Sequence, residues 1–413
     1  MLKKLILKNW KSFRDAELPI DPLTVLIGAN ASGKSNLIEA LEFLKRTVSG
    51  KELQAALAGD SILSAIRGSV EEAPLRGKSS FTLEVLIQGN DQTDYLYSIT
   101  VQTKPNIQLE KESFKSYLNT DKINNCIQLL KTKSGSSNFP GIGAKLKIPQ
   151  NNEYIEKLWA RSQSIISQAT NLVNLSEENS INPFADFQET IKNISIINPI
   201  PARMRDYSRL SEKLESDASN IAGVLATLSD KQKEEFESTV ATYLRHLPER
   251  DIERVWAEPV GRFGTDAMLY CQEEWKPGEI TEIDVRVMSD GTLRFLAIMT
   301  ALLTRPEGSQ LVIEEVDNGL HPSRVGLLLK MLKEIGEKRK IDILVTTHNP
   351  ALLDALDPEM IPFVILAYRD AETGESQLTP VEDIDNFPKL YASASLGQLT
   401  AKGAIERSIS RKQ

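Results

Sequence analysis

An α/β fold is predicted from three features of this 413-residue chain. A short apolar strand passes through a glycine-rich turn into an amphipathic helix. A run of alternating strands occupies residues 80–150. In the last third, apolar helices and buried strands take turns. The length suits one large domain with a substantial insertion or two domains, and the motifs along the chain favour a single unit over 1–413. It divides into an N-terminal lobe at 1–150, a mostly helical insertion at 151–250 and a C-terminal lobe at 251–413.

The opening reads as strands: Lys4–Leu7, then Asn9–Phe13, then Ala16–Ile20. Leu23–Ile27 is a short apolar run bounded by Gly28, the mark of a buried strand. In Ser35–Leu44 the apolar positions Leu37, Ile38, Leu41 and Leu44 share one helical face. Phe81–Ile87 and Tyr95–Val101 alternate as paired strands about a turn at Gly89-Asn90-Asp91. Residues 134–151 read as loop from their Ser, Gly, Asn and Pro content, and 152–192 as a polar, mostly helical stretch. Two helices follow, Ser219–Leu228 and Lys231–Leu247, the second capped by Ser229 or Asp230 with Glu234 nearby. Strands return at Ile252–Pro259 and Ala267–Cys271. The last third holds a helix over Leu293–Leu303, a strand at Leu311–Ile313, a helix after Pro322, and strands at Ile343–Thr347 and Phe363–Ala367. The helical stretches lack the length and heptads of a long coiled coil.

Composition excludes several classes. No stretch approaches the roughly 20 apolar residues of a membrane-spanning helix. The mixed N-terminus Met1–Lys8 lacks the apolar core of a signal peptide. Two distant cysteines, Cys126 and Cys271, make neither a disulfide framework nor a zinc cluster. A reducing cytoplasm is the expected compartment. A formal net charge of −8 gives no support for DNA binding through bulk electrostatics, although a local basic face is compatible with it.

Gly28-Ala29-Asn30-Ala31-Ser32-Gly33-Lys34-Ser35 fits the phosphate-loop pattern at every position. Glycines let the backbone curl so that successive N–H groups face phosphate oxygens, and the following helix adds its positive end. The expected ATP contacts are Gly28, Asn30, Ala31, Ser32, Gly33, Lys34, Ser35 and Asn36. Lys34 meets the β- and γ-phosphates, and the Ser35 hydroxyl ligates Mg²⁺. Such a loop needs an acidic partner at the end of a buried strand. Leu311-Val312-Ile313-Glu314-Glu315 supplies one, with Glu314 ordering the Mg²⁺ shell and Glu315 as general base.

Three further segments carry a family resemblance. Met288-Ser289-Asp290-Gly291-Thr292-Leu293-Arg294 resembles the ABC signature in its chromosome-maintenance form. Val316-Asp317-Asn318-Gly319-Leu320-His321-Pro322-Ser323 resembles the D-loop of RecF- and OLD-like ATPases. The strand ending Thr346-Thr347-His348-Asn349-Pro350 matches the switch-histidine position. Lys8–Phe13 looks like the start of RecF/SMC-type heads, and Ala218–Leu225 resembles a segment of stand-alone AAA-type relatives. Together they resemble a RecF/OLD/SMC-like ABC-type ATPase head, of the kind found in anti-phage defence and DNA repair.

That resemblance implies a P-loop NTPase core with an antiparallel β subdomain and an inserted helical region. It implies a homodimer that sandwiches ATP, with Ser289 and Gly291 reaching the γ-phosphate held by the other copy. His348 hydrogen-bonds the γ-phosphate or the attacking water and reports whether ATP is intact, and His321 faces the dimer interface. Partners implied are a separately encoded effector, nuclease or TOPRIM-like, and DNA. The chain departs from its kin in carrying Glu314 where aspartate is usual. Neither Gln88 nor Gln102 has the context of a glutamine-loop residue, and the adenine contacts are unassigned; the resemblance points to Lys11 or its neighbours.

Rival readings fall on spacing. Transporter domains place the signature on the order of 100 residues after the phosphate loop, less than half the interval here. SMC proteins need long heptad arms. An OLD-type nuclease needs roughly 100 residues beyond the switch histidine, and Asp383-Ile384-Asp385 sits in a polar turn with too little chain around it. The expected function is an ATP-hydrolysing head that gates an effector in DNA-directed defence. The alternatives are a RecF-like repair ATPase and a nucleotide-gated scaffold that turns over slowly.

Overall fold

The computed structural model describes residues 1–89, 93–118, 126–133, 141–147, 153–173, 182–244, 252–276 and 278–410. Two compact units emerge, each discontinuous in sequence. The first comprises Met1–Asp21, Gly28–Ile194 and Leu366–Thr379; the second comprises Pro22–Ile27, Ser195–Ile365 and Pro380–Gln413.

The first unit opens with the hairpin β1 (Leu2–Trp10) and β2 (Phe13–Pro19). The chain then gives β3 (Leu23–Ile27) to the second unit before returning as α1 (Lys34–Val48) and α2 (Leu53–Ala58). Six strands follow: β4 (Ser80–Gln88), β5 (Thr93–Gln102), β6 (Gln108–Leu118), β7 (Cys126–Thr132), β8 (Gly141–Lys147) and β9 (Tyr154–Ala160). Helices α3 (Ile165–Val173) and α4 (Pro183–Lys192) come after them. The strands form one antiparallel sheet in the order β2-β1-β4-β5-β6-β7-β8-β9. Period-two alternation buries Phe81, Leu83, Val85 and Ile87 beside Tyr95, Tyr97, Ile99 and Val101, so the sheet has one covered face. Trp10, Phe43 of α1 and Phe81 of β4 meet edge-on, with ring centroids 4.7 Å (Trp10–Phe81) and 5.4 Å (Phe43–Phe81) apart. Each such buried ring contributes roughly 1.5–3 kcal/mol and fixes α1 against the sheet.

Two stretches differ from expectation. Within 134–151, read as loop, lies β8: Ile142, Ala144 and Leu146 are buried in alternation, and the glycines between them hid the pattern. The 152–192 stretch opens with the edge strand β9, in which Trp159 alone is buried; an edge strand's polarity mimics a solvated helix. The turn expected at Gly89-Asn90-Asp91 lies partly outside the described residues.

The second unit begins with β10 (Ile194–Ile197), α5 (Pro201–Met204) and β11 (Ser208–Arg209). Helices α6 (Ile221–Thr227) and α7 (Asp230–Leu244) precede β12 (Ile252–Val260), β13 (Asp266–Lys276) and β14 (Glu279–Asp284). Gln232, rather than Glu234, closes the capping box at α7: its Oε1 accepts from Ser229 N (3.0 Å) and Oγ (2.8 Å). Then come α8 (Asp290–Thr304), β15 (Gln310–Ile313), α9 (Pro322–Arg339), β16 (Asp342–Thr347), α10 (Pro350–Asp354) and the start of β17 (Val364–Arg369), whose later residues, with β18 (Ser376–Pro380) as far as Thr379, belong to the first unit. The chain closes with α11 (Phe387–Ser393), α12 (Leu396–Ala401) and α13 (Ala404–Ser410).

Strands β15, β16 and β3 run parallel, flanked by β10 and β17. All five residues of β3, all six of β16 and all four of β15 are buried, as expected of a parallel sheet covered on both faces. A separate antiparallel sheet joins β11, β13, β12 and β14. No described helix exceeds the 18 residues of α9, and none is long and apolar enough to cross a membrane.

Candidate functional site

The glycine-rich turn leaves β3 at Ile27 and enters α1 at Lys34. Gly28 has φ +146° and Gly33 φ +111°, conformations that side chains rarely adopt. A Cβ on Gly28 would stand 2.1 Å from the Ala367 carbonyl oxygen and 2.8 Å from Ser32 Oγ. One on Gly33 would stand 2.8 Å from the Phe13 ring and from Ser376 Oγ. Lys34 Nζ curls over the turn and donates to the carbonyls of Gly28 (2.6 Å) and Ala29 (3.0 Å). Arg369 Nε holds the turn's far side through the Ala31 carbonyl (3.1 Å). No side chain caps α1 and no acid occupies its first turn, so its positive end faces the turn uncancelled.

Behind the turn, Ser12 acts as a knot. Its Oγ receives Asn36 Nδ2 (2.8 Å) and Ser376 Oγ (2.7 Å), and Trp10 Nε1 donates to the Asn36 carbonyl (2.7 Å). Alongside lies a cleft of about 1100 Å³ whose lining includes Ser12, Arg14, Asn36, Arg76 and Arg369. Lys11 lines it too, but its ammonium turns to Glu39 of α1 and to the Arg67 carbonyl. Burial lowers the Lys11 pKa from its ordinary value against the pull of Glu39.

In the second unit the parallel register aligns three strand ends. Ile313 of β15 lies opposite Val345 of β16, and Thr347 of β16 lies opposite Ile27 of β3. Glu314 and Glu315, His348, and the residue from which the glycine-rich turn departs thus follow the carboxyl ends of adjacent strands. Ligands of open α/β sheets are bound at such ends. Glu315 sits at φ +49°, a strained setting for a non-glycine residue. Its N–H donates to Thr346 Oγ1 (2.9 Å), while the flanking amides of Glu314 and Val316 reach the carbonyls of Ile197 (3.0 Å) and Thr346 (3.1 Å). Asn318 Nδ2 donates to Glu315 Oε2 (3.2 Å). Burial lowers the Arg294 pKa, opposed by the carboxylates of Glu315, Asp290 and Asp317. His348 is exposed at the end of β16.

Ser289 caps α8: its Oγ accepts from Thr292 N (3.1 Å). Arg205 straps the approach by donating to the carbonyls of Met288 (2.6 Å) and Arg286 (3.0 Å) and to Asp290. A Cβ on Gly291 would lie 3.1 Å from the Gly319 carbonyl oxygen, so the start of α8 packs on the turn before α9. Both border a cleft of about 550 Å³ with His321 and Arg324. His321 Nδ1 accepts from Ser323 N (3.3 Å), so this histidine is also the cap of α9.

Residues 23–354, well over half of the chain, match the family described as "AAA domain, putative AbiEii toxin, Type IV TA system". The chain belongs to this AAA family. An "ATP/GTP phosphatase" of Helicobacter pylori is 24% identical over 367 residues, 86% of this chain and 88% of the relative. The "DNA replication and repair protein RecF" of a Synechococcus species is 48% identical over 44 residues, 10% of this chain and 12% of the relative. A crystal structure of an SmcHead bound to the C-winged helix domain of ScpA has a similar fold. It aligns with TM-score 0.51 and 15% identity over 92% of this chain and 97% of that one. The AAA-family chain is an ABC-type ATPase head of the RecF/OLD/SMC kind.

The residues of this AAA head fit a nucleotide. Ser32 Oγ is buried without a hydrogen-bond partner and lies 2.8 Å from where a Cβ on Gly28 would stand. A triphosphate offers acceptors to it, to Lys34 and to the amides opening α1. Among the described residues no group of three or more His, Cys, Asp or Glu could hold a metal. Sequence reasoning assigned no role to Ser12, Arg205, Arg324, Thr346 or Arg369. Each acts through a partner remote in sequence, so no local pattern marked it.

Proposed function

We propose that this chain binds ATP with Mg²⁺ at the Gly28–Asn36 turn and hydrolyses it, working as a pair of heads that close on nucleotide. Lys34 neutralises the β- and γ-phosphates. Ser35 and Glu314 hold the Mg²⁺, which offsets phosphate charge when bound. Glu315 draws a proton from the attacking water, and His348 donates to the γ-phosphate. Asn30, Ala31, Ser32 and Asn36 complete the cradle. Ser289 and Gly291, at the start of α8, serve the nucleotide held by the second copy. The observation that carries this reading is the alignment of β15, β16 and β3. It puts the two glutamates, the histidine and the departure of the glycine-rich turn after neighbouring parallel strand ends.

The closed dimer, in this reading, gates a separate effector in DNA-directed defence. The family's description, naming a toxin of a toxin–antitoxin system, supports defence. The solved Smc head, bound to a domain of ScpA, is a precedent for a head that carries a partner. DNA contact is supported by a cleft of about 860 Å³ on the outer face of the first unit's sheet. Lys8, Lys111, Lys131, Lys133 and Arg161 line it with Glu84, Glu110 and Glu112, Lys8 being paired with Glu84 (3.2 Å), and Thr82, Thr100 and Ser113 add hydroxyl donors of the kind that contact phosphates. The second reading, a repair ATPase, is favoured by the RecF match.

Mass measurement of Glu315→Gln with saturating ATP and Mg²⁺ tests the core of the proposal. A stable dimer is expected, with ATP turnover reduced by about 10²–10⁴-fold. A monomer under saturating ATP would overturn the two-head mechanism. Lys111→Glu with Lys131→Glu should abolish salt-dependent retention of duplex DNA, and unchanged retention would remove DNA from this face.

A further inference from the structure

We infer that Thr292, steadied by Arg324, is a positioning residue that turns the Ser289 hydroxyl proton outward from the start of α8. This rests on the reading above in which Ser289 serves the nucleotide of the second copy. Ser289 Oγ lies 2.8 Å from Thr292 Oγ1, and a hydroxyl pair can be ordered in either direction. Thr292 is only 3% exposed, so its proton needs an acceptor inside the protein. Ser289 Oγ is within reach to accept it. Arg324 Nη1, which can only donate, approaches Thr292 Oγ1 at 3.4 Å and takes up one of its lone pairs. The opposite order would bury a threonine proton with nothing to receive it.

The consequence is specific. Ser289 Oγ accepts twice, from Thr292 N and from Thr292 Oγ1, and its own proton is left to give. Ser289 is exposed on the cleft of about 550 Å³, so that proton points where an incoming phosphate oxygen would arrive. Arg324 stands in the first turn of α9 and is 6% exposed, a place where the helix dipole and burial both oppose a cation. Arg324 passes close to Gly291 as well: a Cβ there would lie 3.4 Å from Arg324 Nη1, in ordinary contact. The signature turn and the turn before α9 are thereby joined through one polar chain, Arg324 to Thr292 to Ser289.

The test is a double-mutant cycle on ATP-dependent dimerisation of the full chain in the Glu315→Gln background, read by sedimentation, with single-head ATP affinity measured in parallel. Ser289→Ala and Thr292→Val should each weaken dimerisation by about tenfold, one hydrogen bond's worth. Thr292→Ser should restore it, and Thr292→Val should leave ATP affinity unchanged. The pair Ser289→Ala/Thr292→Val should be no worse than Ser289→Ala alone. Arg324→Met, which spares the Thr292 hydroxyl, should weaken dimerisation by about threefold and serves if the valine variant does not fold. Multiplying effects in the double variant, or normal dimerisation of Thr292→Val beside an impaired Ser289→Ala, would overturn this inference alone. Normal dimerisation of Ser289→Ala would overturn the two-copy reading and this inference with it.

Discussion

The phosphate turn of the first unit and the acidic turn of the second both bend the backbone through the left-handed region, and they are held there in opposite ways. Gly28 and Gly33 reach φ +146° and +111° because they carry no Cβ. Glu315 reaches φ +49° although it does carry one. Its turn is pinned from outside, by Thr346 Oγ1 and by the carbonyls of Thr346 and Ile197. One bend is written mainly into its own glycines, although Ala31 (φ +65°) within it carries a Cβ and has its carbonyl held by Arg369 Nε. The other is imposed by strands 30 to more than 100 positions away in sequence, β16 and β10. A turn of the first kind tolerates little change within itself, and a turn of the second kind is vulnerable through its neighbours.

That contrast can be broken from either side. Lys34→Ala should have the largest effect, lowering ATP affinity by at least about 100-fold, as expected when a buried charge-assisted contact is lost. Titration with a fluorescent ATP analogue checks it, and wild-type affinity would contradict the phosphate-turn assignment. Gly28→Ala comes next. Its methyl must displace the Ala367 carbonyl, so a stability loss on the order of 1–3 kcal/mol is expected together with weakened ATP binding. Thermal unfolding with and without ATP measures both.

Thr346→Val tests the imposed turn. It keeps the shape of the side chain but leaves the Glu315 N–H without its acceptor, at a cost of about 1–3 kcal/mol. The expected signature is a fall in turnover of about tenfold with ATP affinity held within about twofold. Parallel losses of turnover and affinity would show that the two turns are not separable in this way. Arg205→Met is the mildest. It frees the carbonyls before α8, and dimerisation should weaken about threefold, a change of under 1 kcal/mol, with no effect on a single head's affinity.

The same contrast explains which features were legible in advance. The strand at Leu23–Ile27, the turn and the helix from Lys34 follow from local rules of burial, glycine conformation and 3.6-residue spacing. So does α8 opening at Asp290 behind its serine cap. By contrast β8 was hidden by its glycines and β9 by the polarity of an edge strand, since both depend on a partner strand for their identity. Lys11, which the resemblance pointed to along with its neighbours for adenine, has its ammonium paired with Glu39 across 28 residues of sequence. No local pattern announces such a pairing.

The sequence alone determined the order of motifs, the glycines that permit the phosphate turn, and the helices over Leu293–Leu303 and after Pro322, because each is a contest among atoms a few residues apart. Tertiary structure alone decided that β3, β15 and β16 align their carboxyl ends, that Thr346 holds Glu315 in a strained bend, and that Arg324 reaches Thr292. Those outcomes depend on strand register and on side chains meeting across long stretches of chain, which nothing short of the packed fold specifies.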